Sequence, residues 1–90
     1  FSQEREDASF HGVISDARDA CRRNREVRVK KKRPGRDRVI GSDRSSQRGR
    51  WRVPVPGARG RFYAAAARKT FLKDGATEIC RLSHSATIYI

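Results

Sequence analysis

A run of basic residues in the first half of the chain carries the clearest chemical signal. Its members, here called the basic run, are Lys30, Lys31, Lys32, Arg33, Arg36 and Arg38. Pro34 and Gly35 interrupt it and predict a turn, so the side chains should converge at the tip of a β-hairpin. Clustered cations of this kind bind phosphate or sulfate groups, because a guanidinium engages two oxygens at once. The alternative is a solvated tip whose charges only keep a strand edge from pairing with other molecules.

Metal ligands are the second kind of chemistry to consider. The residues that could form a zinc site are His11, Cys21, Cys80 and His84. Structural zinc usually takes its ligands in pairs about two to four residues apart, and no two of these four are so spaced. The residues that could bind calcium are Asp16, Asp19, Asp37 and Asp43. They lack the alternating acidic spacing of a calcium loop, so we expect no metal and no other cofactor.

The segment Ser83-His84-Ser85, with Asp74 and Glu78 before it, contains the residue types of a hydrolase. No nucleophile elbow surrounds either serine, and histidine beside serine is common in loops. The sequence therefore predicts that the protein is not an enzyme.

Cys21 and Cys80 are the two cysteines of the chain. Their even number, and the position of each beside a predicted strand, favours a disulfide between them. Closing so long a loop would stabilise the fold by roughly 3–4.5 kcal/mol. Two unpaired buried thiols, as in a cytosolic protein, are the alternative.

The most regular apolar pattern surrounds Trp51. Apolar residues at 51, 53 and 55 alternate with arginines at 50 and 52, so the apolar side chains share one strand face. A polar, glycine-closed turn precedes this strand and follows Val39-Ile40, which predicts an antiparallel hairpin. We therefore expect Trp51 in the core, rather than stacked on nucleic-acid bases together with Phe62 and Tyr63.

The remaining segments follow from the same periodicity. Further strands are predicted over residues 8–14, 25–32, 38–43, 60–68, 77–81 and 87–90. The segment 60–68 contains four successive alanines, and alanine favours helix. Gly60 and the aromatic residues at the start of the segment favour a strand, which is the prediction. Residues 15–24 could form one helical turn, but no apolar stripe supports a packed helix, so a loop is expected there. Residues 69–76 are also expected to be a loop, with Phe71 and Leu72 available to cover an edge of the core.

The length of 90 residues predicts one domain of marginal intrinsic stability. Residues 1–7 show no periodicity and are expected to be a flexible leader, followed by a single domain over 8–90. Seven short strands, with turns roughly every eight to twelve residues, indicate an all-β fold. The expected architecture is a seven-stranded antiparallel Greek-key β-sandwich, immunoglobulin-like or prealbumin-like, with one disulfide.

The high positive charge of the chain indicates what it could bind, and its first residue indicates where it could be located. The chain has 22 Lys and Arg against 10 Asp and Glu, a formal net charge of +12, which attracts polyanions such as polysaccharide or nucleic acid. A coding bias toward arginine is the alternative, since arginines are spread along almost the whole chain. No apolar run approaches the roughly 18–20 residues of a membrane span. A start at Phe1 and the lack of methionine fit removal of a signal peptide, so we expect a secreted or cell-surface protein.

Several short motifs resemble those of a known family. They are the opening strand Phe10-His11-Gly12-Val13-Ile14, Val27-Arg28-Val29 after Cys21, Ile40-Gly41-Ser42-Asp43, Arg50-Trp51-Arg52-Val53, Gly60-Arg61-Phe62-Tyr63-Ala64 and Cys80. Over residues 9–90 the chain resembles the transthyretin-like (prealbumin-like) modules found in carboxypeptidase regulatory-like and related secreted bacterial domains. The resemblance implies a Greek-key sandwich that serves as an accessory, adhesive or assembly module, and it implies no catalytic residue.

Together these observations predict a non-catalytic secreted β-sandwich module with a basic surface, acting as a structural, adhesive or self-assembling subunit. Self-association would use exposed strand edges, and an anionic polymer is the other expected partner. The alternative is a small basic nucleic-acid-binding protein of the ribosomal type.

Overall fold

The computed structural model describes residues 1–6, 8–16 and 18–90, and most of them lie in antiparallel β-strands. Within these residues there are ten strands and one short helix. In chain order they are β1 (Glu4–Glu6), β2 (Ser9–Val13), α1 (Asp19–Arg22), β3 (Glu26–Lys31), β4 (Arg38–Arg44), β5 (Arg50–Pro54), β6 (Arg61–Ala66), β7 (Lys69–Lys73), β8 (Ala76–Cys80), β9 (Ser83–His84) and β10 (Ile88–Tyr89).

The strands form three sheets. The first sheet has the order β1-β2-β5, and the second has the order β10-β6-β3-β4 with β9 also pairing with β6. The third sheet is the hairpin of β7 and β8. The mostly β, antiparallel character predicted from periodicity is confirmed, whereas the strand count of seven is wrong, because short pairings at 4–6, 69–73 and 83–84 were not recognised as strands.

The core lies between the first and second sheets. Phe10 of β2 meets Phe62 of β6 with their ring centroids 5.1 Å apart. The buried core residues are Phe10, Ile14, Val27, Val29, Trp51, Val53, Ala58, Phe62, Ala64 and Ala66. Alternate strand positions supply most of them, as the period of two predicts.

The alanine-containing segment forms a strand, β6, as predicted. It pairs with β3, with Ala64 opposite Val29 and Ala66 opposite Val27, and all four side chains are buried. Packing against a paired neighbour here outweighs the intrinsic preference of alanine for helix.

The predicted hairpin between the strand at Val39-Ile40 and the strand at Trp51 is wrong. Strand β4 pairs with β3 and strand β5 pairs with β2, so the turn between them carries the chain from the second sheet to the first. The backbone N–H of Arg52 still donates to Asp43 Oδ2 across 2.9 Å. The sheets approach so closely that a Cβ on Gly41 would lie 2.5 Å from Val53 Cγ1.

Two segments expected to be loops contain regular structure. Residues 19–22 form α1, which places Cys21 beside Cys80 at the end of β8, and the two are joined by a disulfide with a Cα–Cα distance of 5.5 Å. Residues 69–73 form β7 of the third sheet instead of a loop. Phe71 is half-buried and Leu72 is 78% exposed, so Leu72 does not cover the core.

The described part of the expected leader, residues 1–6, packs on the domain instead of extending from it; Asp7 lies outside the described residues. Glu4–Glu6 pairs with β2, and the Ser2 N–H donates to Val13 O across 2.9 Å. The Phe1 ring lies against Trp51 with centroids 6.0 Å apart. The polar pattern of this segment hid its strand because β1 is an edge strand with little to bury.

Candidate polyanion-binding groove

The basic run lies at the tip of the β3–β4 hairpin, as its spacing predicted. Lys31 stands opposite Arg38 at the last pair of the ladder, and residues 32–37 close the turn. A register shift between Val29 and Lys30 marks a β-bulge, which increases the local twist of the hairpin. Four of the six residues are exposed, namely Lys32, Arg33, Arg36 and Arg38.

Part of the basic run lines a groove of 560 Å³, here called the basic groove. Its cationic residues are Lys31, Arg33, Arg38 and Arg59. Its apolar residues are Ile40, Val55, Pro56, Ala58 and Phe62. No carboxylate is among the described residues that line it. The groove therefore combines uncompensated positive charge with an apolar floor.

Arg59 is the member of the groove that sequence reasoning missed. It lies between β5 and β6, more than twenty residues from the rest of the basic run. The pairing of Lys31 with Phe62 brings the start of β6 to the hairpin tip, and a Cβ on Gly60 would lie 3.1 Å from Lys31 Cε. Only this long-range register places Arg59 at the groove, and nothing local in the sequence signals it.

The other members of the basic run lie elsewhere. Lys32 Nζ is 5.8 Å from the centroid of the Tyr63 ring, and these two residues line a second cavity of 390 Å³. Lys30 and Arg36 line neither cavity. Of the six cations predicted as one site, Lys31, Arg33 and Arg38 therefore line the basic groove and the other three do not.

A hydrogen bond fixes the hairpin tip to its neighbour β6. The Tyr63 hydroxyl donates to Asp37 Oδ2 across 2.6 Å, and the Arg33 N–H donates to Asp37 Oδ1 across 3.4 Å. The tyrosine hydrogen bond is the main reason that the pKa of Asp37 is lowered, and it raises the pKa of Tyr63. The tip is thus held in one position beside the basic groove.

The structure does not assemble the metal sites considered from sequence. Cys21 and Cys80 are bonded to each other in the disulfide and therefore have no thiolate to offer a metal. His11 lies beside Glu4 and Glu6, at 3.9 and 3.7 Å, whereas His84 packs near Tyr63. Among the residues that the structure describes, no group of three or more His, Cys, Asp or Glu side chains is placed to hold a metal ion.

The side chains of His84 and Ser85 contact backbone groups. Ser85 is buried; its hydroxyl accepts from the Ala64 N–H and donates to the Ala86 carbonyl, both across 2.9 Å. The His84 ring contacts the Ser85 carbonyl oxygen at 3.3 Å, and no hydrogen bond to a serine hydroxyl is found for it in the described part of the chain. The contacts of His84 and Ser85 are thus with backbone groups, and those of Ser85 connect the segment after β9 to β6.

Trp51 is 3% exposed, which confirms its predicted place in the core, and Phe62 is 2% exposed. Neither ring offers an open face on which a base could stack. Tyr63 is half-buried and engaged by Asp37.

The fold and groove define a small, disulfide-linked, antiparallel β protein with a cationic cleft. Comparisons with protein-family models, with curated proteins and with solved structures gave no significant match to this chain. In residues 1–6, 8–16 and 18–90, no helix has the length and apolar character that a membrane crossing requires.

Proposed function

We propose that this protein is a non-catalytic extracellular module that binds an anionic polysaccharide in the basic groove. The observation that carries the proposal is the set of four cations, Lys31, Arg33, Arg38 and Arg59, around one groove without a carboxylate. Isolated surface charges pair weakly, but several cations on one groove engage several anionic groups of a polymer together.

The geometry favours a sugar polymer over a nucleic acid. The groove floor is apolar, and the Lys31 Nζ lies 6.0 Å from the centroid of the Phe62 ring, whose face is buried beneath it. Sulfate or carboxylate groups can meet the cations while the carbon face of a sugar ring lies on the floor. A single-stranded nucleic acid gains much of its affinity from stacking on exposed aromatics, which the groove does not provide.

The proposed extracellular setting rests on the Cys21–Cys80 disulfide, since such bonds persist in oxidising compartments. The resemblance to transthyretin-like modules, with a Greek-key arrangement of the first two sheets and an adhesive or structural role, is part of the same proposal. It agrees with a core formed between two antiparallel sheets.

Self-association through a strand edge is a separate proposal. Strand β4 forms one outer edge of the second sheet and, at seven residues, offers the longest ladder for a neighbouring copy. Sedimentation velocity over a hundredfold range of protein concentration measures it; a constant sedimentation coefficient contradicts it.

Binding is tested by fluorescence anisotropy with labelled heparin, duplex DNA and single-stranded RNA over a salt series. The triple variant Arg33→Gln, Arg38→Gln, Arg59→Gln should lose roughly ten- to a hundredfold in affinity for heparin. The matched control carries Arg48→Gln, Arg50→Gln and Arg68→Gln, three exposed arginines outside the groove, and should lose only severalfold through its lower net charge.

Equal losses in the two triple variants would show that total charge, not the groove, drives binding. Tighter binding to DNA or RNA than to heparin at physiological salt would instead support the nucleic-acid-binding alternative.

A further inference from the structure

A separate cavity of 650 Å³, here called the disulfide-side cavity, lies beside the strand that ends at Cys80. Among its lining residues are Arg18, Arg25, Ile79, Arg81, Leu82 and His84. It shares no residue with the basic groove. A volume of this size accommodates a small organic ligand.

Arg25 is the unusual member of the wall, because it is only 2% exposed. Its guanidinium donates to backbone carbonyls, to Cys21 O across 3.2 Å and to Ala67 O and Arg81 O across 2.8 and 2.9 Å. Its Nε has no hydrogen-bond partner. None of the ion pairs formed by the described residues includes Arg25.

The buried charge of Arg25 is therefore solvated by neutral oxygens and lacks an adjacent counter-charge. Burial lowers the pKa of Arg25, while the more distant Asp16 opposes that shift. A buried charge without a partner is costly, and buried cations in proteins are normally paired with an anion. An anionic group placed in the cavity would supply that pairing.

Two acidic side chains also line the cavity but leave its charge positive. Asp16 already accepts the Arg18 N–H across 2.9 Å and lies 3.4 Å from Arg18 Nε. Glu78 is on an exposed position of β8. Three arginines at 18, 25 and 81 thus face two carboxylates.

The cavity also displays apolar side chains to solvent. Leu82 is 65% exposed and Ile79 is 40% exposed, and both belong to its lining. Covering such side chains is favourable at about 25 cal/mol per Å² of apolar surface removed from water. A ligand that fits these features has an anionic end and an apolar body.

We propose that the disulfide-side cavity binds a small carboxylate that carries an apolar group. The carboxylate lies toward Arg25 and Arg81, and the apolar group covers Ile79 and Leu82. The same chemistry occurs in a free apolar acid and in the carboxyl end of a peptide with an apolar last residue.

Titrations followed by two-dimensional amide NMR test this site. N-acetyl-leucine should cause saturable shifts of the amides at 79–84, and N-acetyl-leucinamide, which lacks the charge, should not. A tripeptide ending in leucine, with a free or an amidated carboxyl end, distinguishes a peptide source from a free acid by its relative affinity. Absence of saturable shifts with every free carboxylate, or equal shifts with the amides, overturns the proposal.

Variants then locate the site. Arg81→Gln and Leu82→Ser alter exposed side chains and should each weaken N-acetyl-leucine binding roughly two- to fivefold, whereas the matched control Arg48→Gln should bind as the parent does. Arg25→Gln should abolish binding in protein that remains folded by circular dichroism. If that variant does not fold, Arg81→Gln and Leu82→Ser decide, and parental affinity in both overturns the proposal. The groove triple variant should retain N-acetyl-leucine binding, which separates this site from the proposed polysaccharide function.

Discussion

At the scale of single residues, the pair Tyr63 and Asp37 shows how one hydrogen bond connects strand pairing to charge. Tyr63 lies on β6 beside β3, and Asp37 belongs to the turn that carries the basic run. The 2.6 Å hydrogen bond between them favours the ionised carboxylate and the protonated phenol. It holds the tip without neutralising the groove, because Asp37 does not line it.

Replacing Tyr63 by Phe should raise the pKa of Asp37 toward its ordinary value of 3.8, because the largest cause of its lowering is removed. In the parent protein, the contribution of Asp37 to stability is present above pH 3.8 and is lost as the pH falls through its lower folded-state pKa. The contribution of Tyr63 is present below pH 10.0 and is lost as the pH rises through its higher folded-state pKa. NMR titration of the Asp37 carboxyl carbon measures the shift.

Tyr89→Phe is the matched control, since Tyr89 is 80% exposed and should leave the Asp37 titration unchanged. An unchanged Asp37 pKa in the Tyr63 variant would contradict the hydrogen bond.

Residue periodicity predicted the buried side chains of β3 and β5, because Val27, Val29, Trp51 and Val53 obey a strict alternation. It could not predict the burial of Arg25, since charged residues are almost always exposed unless partners are supplied by distant parts of the chain. Those partners, at Cys21, Ala67 and Arg81, come together only in the folded protein.

At the scale of elements, the hairpin of β7 and β8 has a local sequence signal in its turn. The two residues Asp74-Gly75 connect β7 and β8, and both have positive φ, 51° and 78°. Asp-Gly in such a turn is among the strongest sequence signals for a two-residue hairpin. The charged composition of 69–76 obscured that signal, although the turn chemistry alone predicts the hairpin.

Residues 1–6, which include strand β1, are expected to contribute to stability although their sequence shows no apolar periodicity. Deleting residues 1–6 should lower the free energy of unfolding by about 2–4 kcal/mol, because it uncovers Trp51 and removes several hydrogen bonds. Among them, Arg5 Nη2 donates to Val55 O across 2.6 Å and Gln3 Nε2 donates to Phe62 O across 3.2 Å. Urea unfolding followed by Trp51 fluorescence measures the change.

The double variant Glu4→Gln, Glu6→Gln keeps the strand and changes only exposed side chains, so its unfolding should match the parent closely. A deletion variant as stable as the parent would show that residues 1–6 are a flexible leader after all.

At the scale of the whole molecule, the covalent link between α1 and β8 spans 59 residues of sequence. Replacing both Cys21 and Cys80 by Ala should lower the free energy of unfolding by about 4 kcal/mol on the chain-entropy view of disulfides. Urea unfolding of the parent with and without reductant checks this, and reductant should have no effect on the variant. Coincident curves for reduced and oxidised parent would contradict the prediction.

The global arrangement was predictable only in part. Alternation, turn residues and the cysteine count led to an antiparallel β fold with one disulfide, and the structure has both. The apolar residues of β4, Val39 and Ile40, are adjacent and not alternating, so the period of two did not decide whether β5 pairs with β4 or with β2. Gly41, whose missing side chain admits Val53, was the local mark that β4 and β5 cross between sheets instead of pairing.

The positions of the two sulfurs have a consequence for cleavage by proteases. The exposed turn at 33–36 lies between Cys21 and Cys80, and the bond after Arg36 is a target for trypsin-like enzymes, whereas Pro34 protects the bond after Arg33. A single cut there produces two pieces that remain covalently joined. Such a molecule migrates as one band until reductant is added, and β3 and β4, the strands on either side of the cut, can stay paired.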